Sequence, residues 1–313
     1  MTTPSAQQPG RLDPGPAGIA SERRRLTNLA YRLLGSLADA EDVVQETYAR
    51  WYAMPAERRA AVVSPGGWLT KVAGRVCLDL LGSARVRRER YVGEWLPEPL
   101  PDRAELVGGR VGGADADAVD PADLVTMDES VHMAFLVVLE SMTPAERVAF
   151  VLHDVFRYPF PEVAGIVGRS PAACRQLASS ARRRIRTARR PAAAEHHASL
   201  VREFRRAWAA KDIGALVGLL DPAATSTPDS GGLVPAVLRP VVGSEAIARG
   251  LAEVREQQPG VELLERTVNG QPGLVARLDG VTVSVLAFDV ADGRITRIWA
   301  MRNPEKLRAW TAA

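Results

Sequence analysis

The sequence predicts a multidomain chain: two all-α domains followed by an α+β domain with a cone-shaped interior. Three observations predict it. A capped helix-turn-helix occupies residues 143–186, a separate helical block precedes it, and after Pro259 helical periodicity gives way to alternation punctuated by Asp-Gly pairs. The length agrees, since 313 residues leave room for two or three small domains that each bury a core.

Residues 1–18 are rich in Pro, Gly and Gln, lack an apolar h-region, and read as a disordered tail rather than a signal peptide. The first helical domain spans residues 19–92. Leu26, Leu29, Ala30, Leu33 and Leu34 form a helical stripe, and Gly35 follows it. Asp39 then reads as the N-cap of a second helix, with acids in the first turn where they suit the helix dipole. Its inward face is drawn from Val43, Val44, Thr47, Tyr48 and Trp51; Asp42, Gln45 and Glu46 face outward. A loop over residues 54–63 leads to Ser64-Pro65, which caps a third helix. That helix carries Trp68, Leu69, Val72, Val76, Leu80 and Leu81 and runs into the basic segment 85–90. The spacing of Trp68 with Val72 and Val76 favours core packing over an exposed stacking platform.

Residues 93–125 show no strong periodicity and are full of Gly, Pro, Ala and Asp, so they read as an interdomain linker. Within them lies Trp95-Leu96-Pro97-Glu98-Pro99-Leu100, an apolar, proline-rich string of the kind that docks onto something.

The second helical domain spans residues 126–190. Thr143 can cap a helix, Pro144 suits its first position, and Glu146 sits where a capping box reaches back. Gly168 can end the following helix, and Ser170-Pro171 starts the next. From there Cys174, Leu177, Ala178, Ala181 and Ile185 share one face, while Arg175, Ser179, Arg182, Arg183 and Arg186 share the opposite one. A helix that packs by one side and offers arginines on the other is laid out for the major groove of DNA.

The last domain spans residues 195–313. Leu200, Phe204, Ala207 and Trp208 point inward from a helix over residues 198–211; a shorter helix runs to Leu220, and Ser244 can cap another that ends at Arg255. Asp279-Gly280 and Asp292-Gly293 are hairpin signals between β-rich runs.

Composition narrows the function. A net charge of +3 excludes a general polycation, so affinity for nucleic acid must come from local concentrations such as residues 169–190, which hold no Asp or Glu. Cys77 and Cys174 form no Cys-x-x-Cys pair and read as small core residues in a reducing cytoplasm, with no metal site and no cofactor. No run approaches the apolar length of a membrane span. Asp221, Asp229 and Asp289 have no His or Tyr beside them in the sheet region, and acid–base catalysis needs two tuned groups, so no catalytic residue is assigned.

With these residues in hand, the chain resembles the extracytoplasmic-function sigma factors of bacterial RNA polymerase, in particular the SigJ-like subgroup with a fused SnoaL-like domain. Tyr31-Arg32-Leu33-Leu34-Gly35-Ser36 through Asp39-Ala40-Glu41-Asp42-Val43-Val44-Gln45-Glu46 looks like the polymerase-binding part of a sigma-2 domain. Phe150-Val151-Leu152-His153-Asp154-Val155-Phe156 through Pro171-Ala172-Ala173-Cys174-Arg175-Gln176-Leu177 looks like a sigma-4 helix-turn-helix. The subgroup's linker string is intact at Trp95, Leu96, Pro97, Glu98, Pro99 and Leu100.

The resemblance implies roles. Asp42, Gln45 and Glu46 would contact the β′ clamp helices of core polymerase, and the sigma-4 part its β flap. Lys71, Arg75, Arg85, Arg87 and Arg88, with the loop over residues 54–63, would read a melted −10 element. Arg175 and Gln176 would reach base edges of the −35 element, with Ser179, Arg182, Arg183 and Arg186 nearer its phosphates. Loss of a bidentate arginine contact there costs ~1–3 kcal/mol. Family members often carry Asn near Arg75 and a basic residue near Gly82; this chain has neither, so no −10 preference carries over. The subgroup's Asp-Gly-Gly-Gly-Lys loop becomes Asp229-Ser230-Gly231-Gly232-Leu233, without the lysine, and its Asn-Pro-Asp-Lys-Leu string becomes Asn303-Pro304-Glu305-Lys306-Leu307. The expectation is a cytoplasmic sigma factor, partnered by core polymerase and promoter DNA and not by membrane, whose last domain acts in cis by docking on the linker string. A stand-alone DNA-binding regulator and a small-ligand sensor in the C-terminal pocket stay open as alternatives.

Overall fold

The computed structural model describes residues 16–88, 91–101, 132–187 and 194–311. Outside the described residues lie most of the expected tail, most of the linker, and the side chains of Arg85, Arg87, Arg88 and Arg186.

The helical part begins with α1 (Pro16–Leu34), which starts inside the stretch read as a tail. Gly35 ends it at φ 70°, its amide bonded to Tyr31 O at 2.7 Å. Helix α2 (Leu37–Ala53) is capped by Ser36, whose Oγ accepts from Asp39 N at 3.2 Å. Asp39 is therefore a first-turn acid rather than the cap; the serine, three residues earlier, reaches the free amide first. The loop over residues 54–63 contains a short helix, α3 (Ala56–Ala60). Helix α4 (Pro65–Arg88) follows, with Ser64 Oγ accepting from Gly67 N.

After the undescribed stretch come α5 (Met133–Glu140) and α6 (Pro144–Phe150), the latter with both arms of the Thr143–Glu146 capping box formed. A π-helical turn over Val151–Val155 leads to α7 (Phe160–Val167), closed by Gly168 at φ 70°, and to α8 (Pro171–Thr187). Residues from both sides of the linker share one continuous core, in which Leu26, Leu29, Leu33, Leu136, Leu139 and Leu152 are buried together. Each such leucine contributes roughly 1.5–3 kcal/mol through removal of its surface from water.

The C-terminal domain places α9 (Ala194–Ala209), α10 (Ile213–Leu219) and α11 (Ser244–Gln257) against a six-stranded sheet. Its strands are β1 (Leu220–Asp229), β2 (Val241–Val242), β3 (Glu262–Val268), β4 (Gln271–Leu278), β5 (Val281–Ala291) and β6 (Arg294–Met301). They lie in the order β2-β1-β6-β5-β4-β3, antiparallel except for the β1–β6 pair. Strand β1 escaped the sequence reading because two prolines interrupt it; Pro222 falls within the irregular register between Leu220 and Thr225, where a missing amide donor is tolerated. Helix α11 starts after Gly243 at φ 100°, so Ser244 is its first residue and not its cap. Asp279-Gly280 and Asp292-Gly293 turn their hairpins with both residues at positive φ, as does Asn269-Gly270.

Both faces of this sheet are covered. One packs on the helices through Phe204, Leu216, Ile247, Leu274, Leu286 and Ile298. The other presents Val275, Val285, Ala287, Trp299 and Met301 to Leu96 of the linker, Met133 of α5, and Leu307 and Trp310 after β6. The chain's three parts thus meet on the outer face of one sheet.

Candidate nucleic-acid interface and linker seat

The linker string is held by a buried carboxylate. Asp229, at the end of β1, is 0% exposed. Its Oδ1 accepts from Tyr91 Oη at 2.6 Å; its Oδ2 accepts from Leu96 N at 2.8 Å and from Lys306 Nζ at 2.7 Å. Lys306 also donates to Leu96 O at 2.7 Å and lies 4.9 Å and 4.2 Å from the ring centres of Tyr91 and Trp95. Asn303 donates to Tyr91 Oη at 2.8 Å. Burial, together with the Asp229 bond, keeps the Tyr91 phenol above its ordinary range, so it stays a donor. A Cβ on Gly231 would lie 2.5 Å from Asn303 Nδ2, and one on Gly232 2.9 Å from Val92; both glycines also have positive φ. Pro304, exposed, opens the 3-10 turn that presents Lys306.

The string continues onto the helical core. Glu98 N donates to Gly35 O at 2.8 Å, and Glu98 Oε2 accepts from Leu37 N at 2.7 Å, at the start of α2. Burial raises the Glu98 pKa, and the Leu37 amide works against that rise. Pro97 packs beside Gly35, and Trp310 Nε1 donates to Pro99 O at 2.8 Å. Leu100 N and O bond Asn269. One tyrosine joins all three parts: Tyr31 of α1 donates to Glu98 O at 2.7 Å and accepts from Asn269 Nδ2 at 2.9 Å. Trp95, Leu96, Pro97, Glu98, Pro99, Leu100, Asp229, Gly231, Gly232, Asn303 and Lys306 therefore converge on one seat. Sequence reasoning missed Tyr31, Tyr91, Asn269 and Trp310. Only the Asn-Gly turn signal at residues 269–270 could have pointed to one of them.

The polar faces are placed as follows. Asp42, Gln45 and Glu46 are exposed on α2, with Glu46 paired to Arg50 at 2.7 Å. Lys71 and Arg75, exposed on α4, face α7: Arg75 donates to Gly165 O at 2.8 Å, and Lys71 Nζ lies beside Gly165. Between them Gly74 meets α7 so closely that a Cβ would lie 2.9 Å from Ile166. Trp68 packs against the helical core, its ring 5.1 Å from that of Trp51. On α8, Arg175, Gln176, Ser179 and Arg183 are exposed. Arg175 stacks over Phe160 at 5.8 Å, and Arg182 pairs with Asp154 at 2.8 Å. Cys77 and Cys174 are both buried. Among the described residues no cluster of His, Cys, Asp or Glu is able to hold a metal ion, and no helix is long and apolar enough to cross a membrane.

Comparison with known proteins agrees with this layout. Residues 19–87 match the family Sigma-70 region 2, and residues 132–185 match Sigma-70, region 4. The ECF RNA polymerase sigma factor SigJ of Mycobacterium tuberculosis is 40% identical over 299 residues, covering 91% of this chain and 90% of that one. The ECF RNA polymerase sigma factor SigG of the same species is 32% identical, covering 89% of this chain and 78% of its own length. The crystal structure of the Mycobacterium tuberculosis SigJ superposes with a TM-score of 0.71 at 35% identity, covering 94% of this chain and 98% of that one. The chain belongs to the extracytoplasmic-function (ECF) sigma factors and is an alternative sigma factor that binds RNA polymerase core and directs promoter-specific transcription initiation.

Proposed function

We propose that this sigma factor is regulated in cis, and that the C-terminal domain, through Asp229, holds the linker string so that the two promoter-reading faces stay closed on each other. The observation that carries the reading is the contact between α4 and α7, where Arg75 is spent on Gly165 O at 2.8 Å. Elements named −10 and −35 lie roughly 85 Å apart along B-DNA at ~3.4 Å per base pair. Faces in direct contact cannot engage both, so initiation requires the helical halves to part.

Within that reading, Asp42, Gln45 and Glu46 meet the β′ clamp helices, where an acidic face sets specificity and on-rate. Lys71, Arg75, Arg85, Arg87 and Arg88 serve the −10 element. Arg175 and Gln176 read −35 base edges, while Ser179, Arg182, Arg183 and Arg186 hold its phosphates, and the same helical part contacts the β flap. Glu46 and Arg182 are each engaged in an ion pair in the closed form and exchange those partners on assembly. The protein acts in the cytoplasm, and a small ligand in the C-terminal cavity is a further input.

Run-off transcription with purified core polymerase tests the proposal, with promoter binding measured in parallel without core. Asp229→Ala is expected to raise core-independent DNA binding and to change transcript yield from the same start site. Unchanged binding and yield, with the linker string shown to be released, would overturn it.

A further inference from the structure

The helix-covered face of the C-terminal sheet borders a half-open cavity of about 190 Å³, walled by Phe204, Trp208, Leu251 and Leu286. A cavity of ~150 Å³ holds a benzene ring, so this one has room for a ring or branched chain with a short substituent. Val237, 60% exposed, lines it from the 230–240 loop and leaves the mouth within reach of solvent.

The one charged side chain lining this cavity is Arg302, two residues past Ala300, which shares the lining. Its Nη1 donates to Pro235 O at 2.8 Å. Among the described residues no carboxylate pairs with it. Its side chain is half-buried, and that burial lowers its pKa. A guanidinium fork with donors to spare, at the solvent-reached edge of an apolar cavity, matches the geometry of a carboxylate.

We propose that this cavity binds a compact hydrophobic carboxylic acid, its apolar body against Phe204, Trp208 and Leu286 and its carboxylate on Arg302. A neutral ligand of the same shape leaves the arginine without a counter-charge.

The roof of the cavity is also a wall of the linker seat. Pro235, which Arg302 holds, belongs to the loop whose outer side touches residues 91–93. Gly232 approaches Val92, and a Cβ on Gly93 would lie 3.5 Å from Leu238. The Arg302 amide itself donates to Asp229 O at 2.7 Å. A carboxylate that draws Arg302 from Pro235 therefore alters the surface on which the linker rests. This coupling rests on the cis-regulatory reading above; the binding does not.

The test titrates the full chain with phenylacetate and with its neutral isostere phenylacetamide by calorimetry, and follows residues 91–100 by hydrogen exchange. Phenylacetate is expected to bind roughly tenfold or more tightly than the amide. Arg302→Met is expected to erase that difference while leaving amide binding intact, and Arg302→Gln repeats the test if the methionine variant does not fold. Occupancy is expected to change exchange at residues 91–100. Equal affinity for the two probes, or no binding of either, would overturn the site. Binding without any change at residues 91–100 would overturn the coupling alone, and the cis-regulatory reading would still be judged by transcription.

Discussion

Replacing Asp229 by alanine removes the acceptor shared by Tyr91, Leu96 and Lys306. Lys306 loses its carboxylate and keeps Leu96 O and the rings of Tyr91 and Trp95, its side chain 12% exposed. Breaking a buried ion pair by removing one partner costs about 3–5 kcal/mol, and the remaining exposure of Lys306 puts this case near the lower figure. A domain's whole stability is about 5–15 kcal/mol, so the loss falls first on the part that can detach locally, the linker string. A local cost of ~3 kcal/mol corresponds to roughly a hundredfold loss of amide protection. Hydrogen exchange read at two amides separates two outcomes. Leu96 N loses its acceptor outright. Glu98 N donates to Gly35 O, which the substitution leaves untouched. If the carboxylate holds the whole string, both amides lose protection together. Loss at Leu96 with Glu98 unchanged, in a variant whose circular dichroism is native, would refute the reasoning.

Three further outcomes follow from the same geometry. Gly74→Leu drives a side chain into Ile166, where a Cβ alone would sit at 2.9 Å; overpacking costs ~1–3 kcal/mol, and urea melts should show that loss together with tighter DNA binding as α4 and α7 separate. Tyr31→Phe leaves Glu98 O and Asn269 Nδ2 each short of a buried partner, which costs roughly 1–3 kcal/mol in chemical denaturation. His197, 3% exposed, has its pKa pushed down to about 4 by burial first and the neighbouring His132 second, so the native state keeps it neutral while the unfolded chain takes a proton below 6.5. Its contribution is complete above pH 6.5 and lost as pH falls toward 4, at most about 3 kcal/mol; a His197→Phe variant should show a flatter decline across that window.

The elements set by local chemistry were legible in the sequence. Thr143 with Glu146, Gly168, and the two Asp-Gly turns each act within a few residues, and each does in the structure what its chemistry predicts. Strand β1 was hidden because Pro222 is tolerated where the pairing with β6 is irregular, and that partner lies some seventy residues away. Asp39 and Ser36 are both residue types that cap well, and only the backbone decides that Ser36 is the cap. The seat was half legible. The apolar string announced that it docks, but Tyr31 and Asn269, separated by 238 residues, carry no local mark of their contact. The packing of Lys71 and Arg75 against α7 was not legible at all, since exposed basic residues look the same whether they await DNA or a carbonyl.

The central claim is that the helical halves are closed in the free protein and parted in the initiating complex. Fluorescence energy transfer between labels on cysteines introduced at Val63, fully exposed before α4, and Arg183, exposed on α8, measures that distance directly, with native Cys77 and Cys174 buried away from the dyes. The account predicts a short distance in the free protein that lengthens by tens of ångströms, toward the ~85 Å spacing of the promoter elements, when core polymerase and promoter are added. An unchanged short distance in a complex that is making transcript would contradict it.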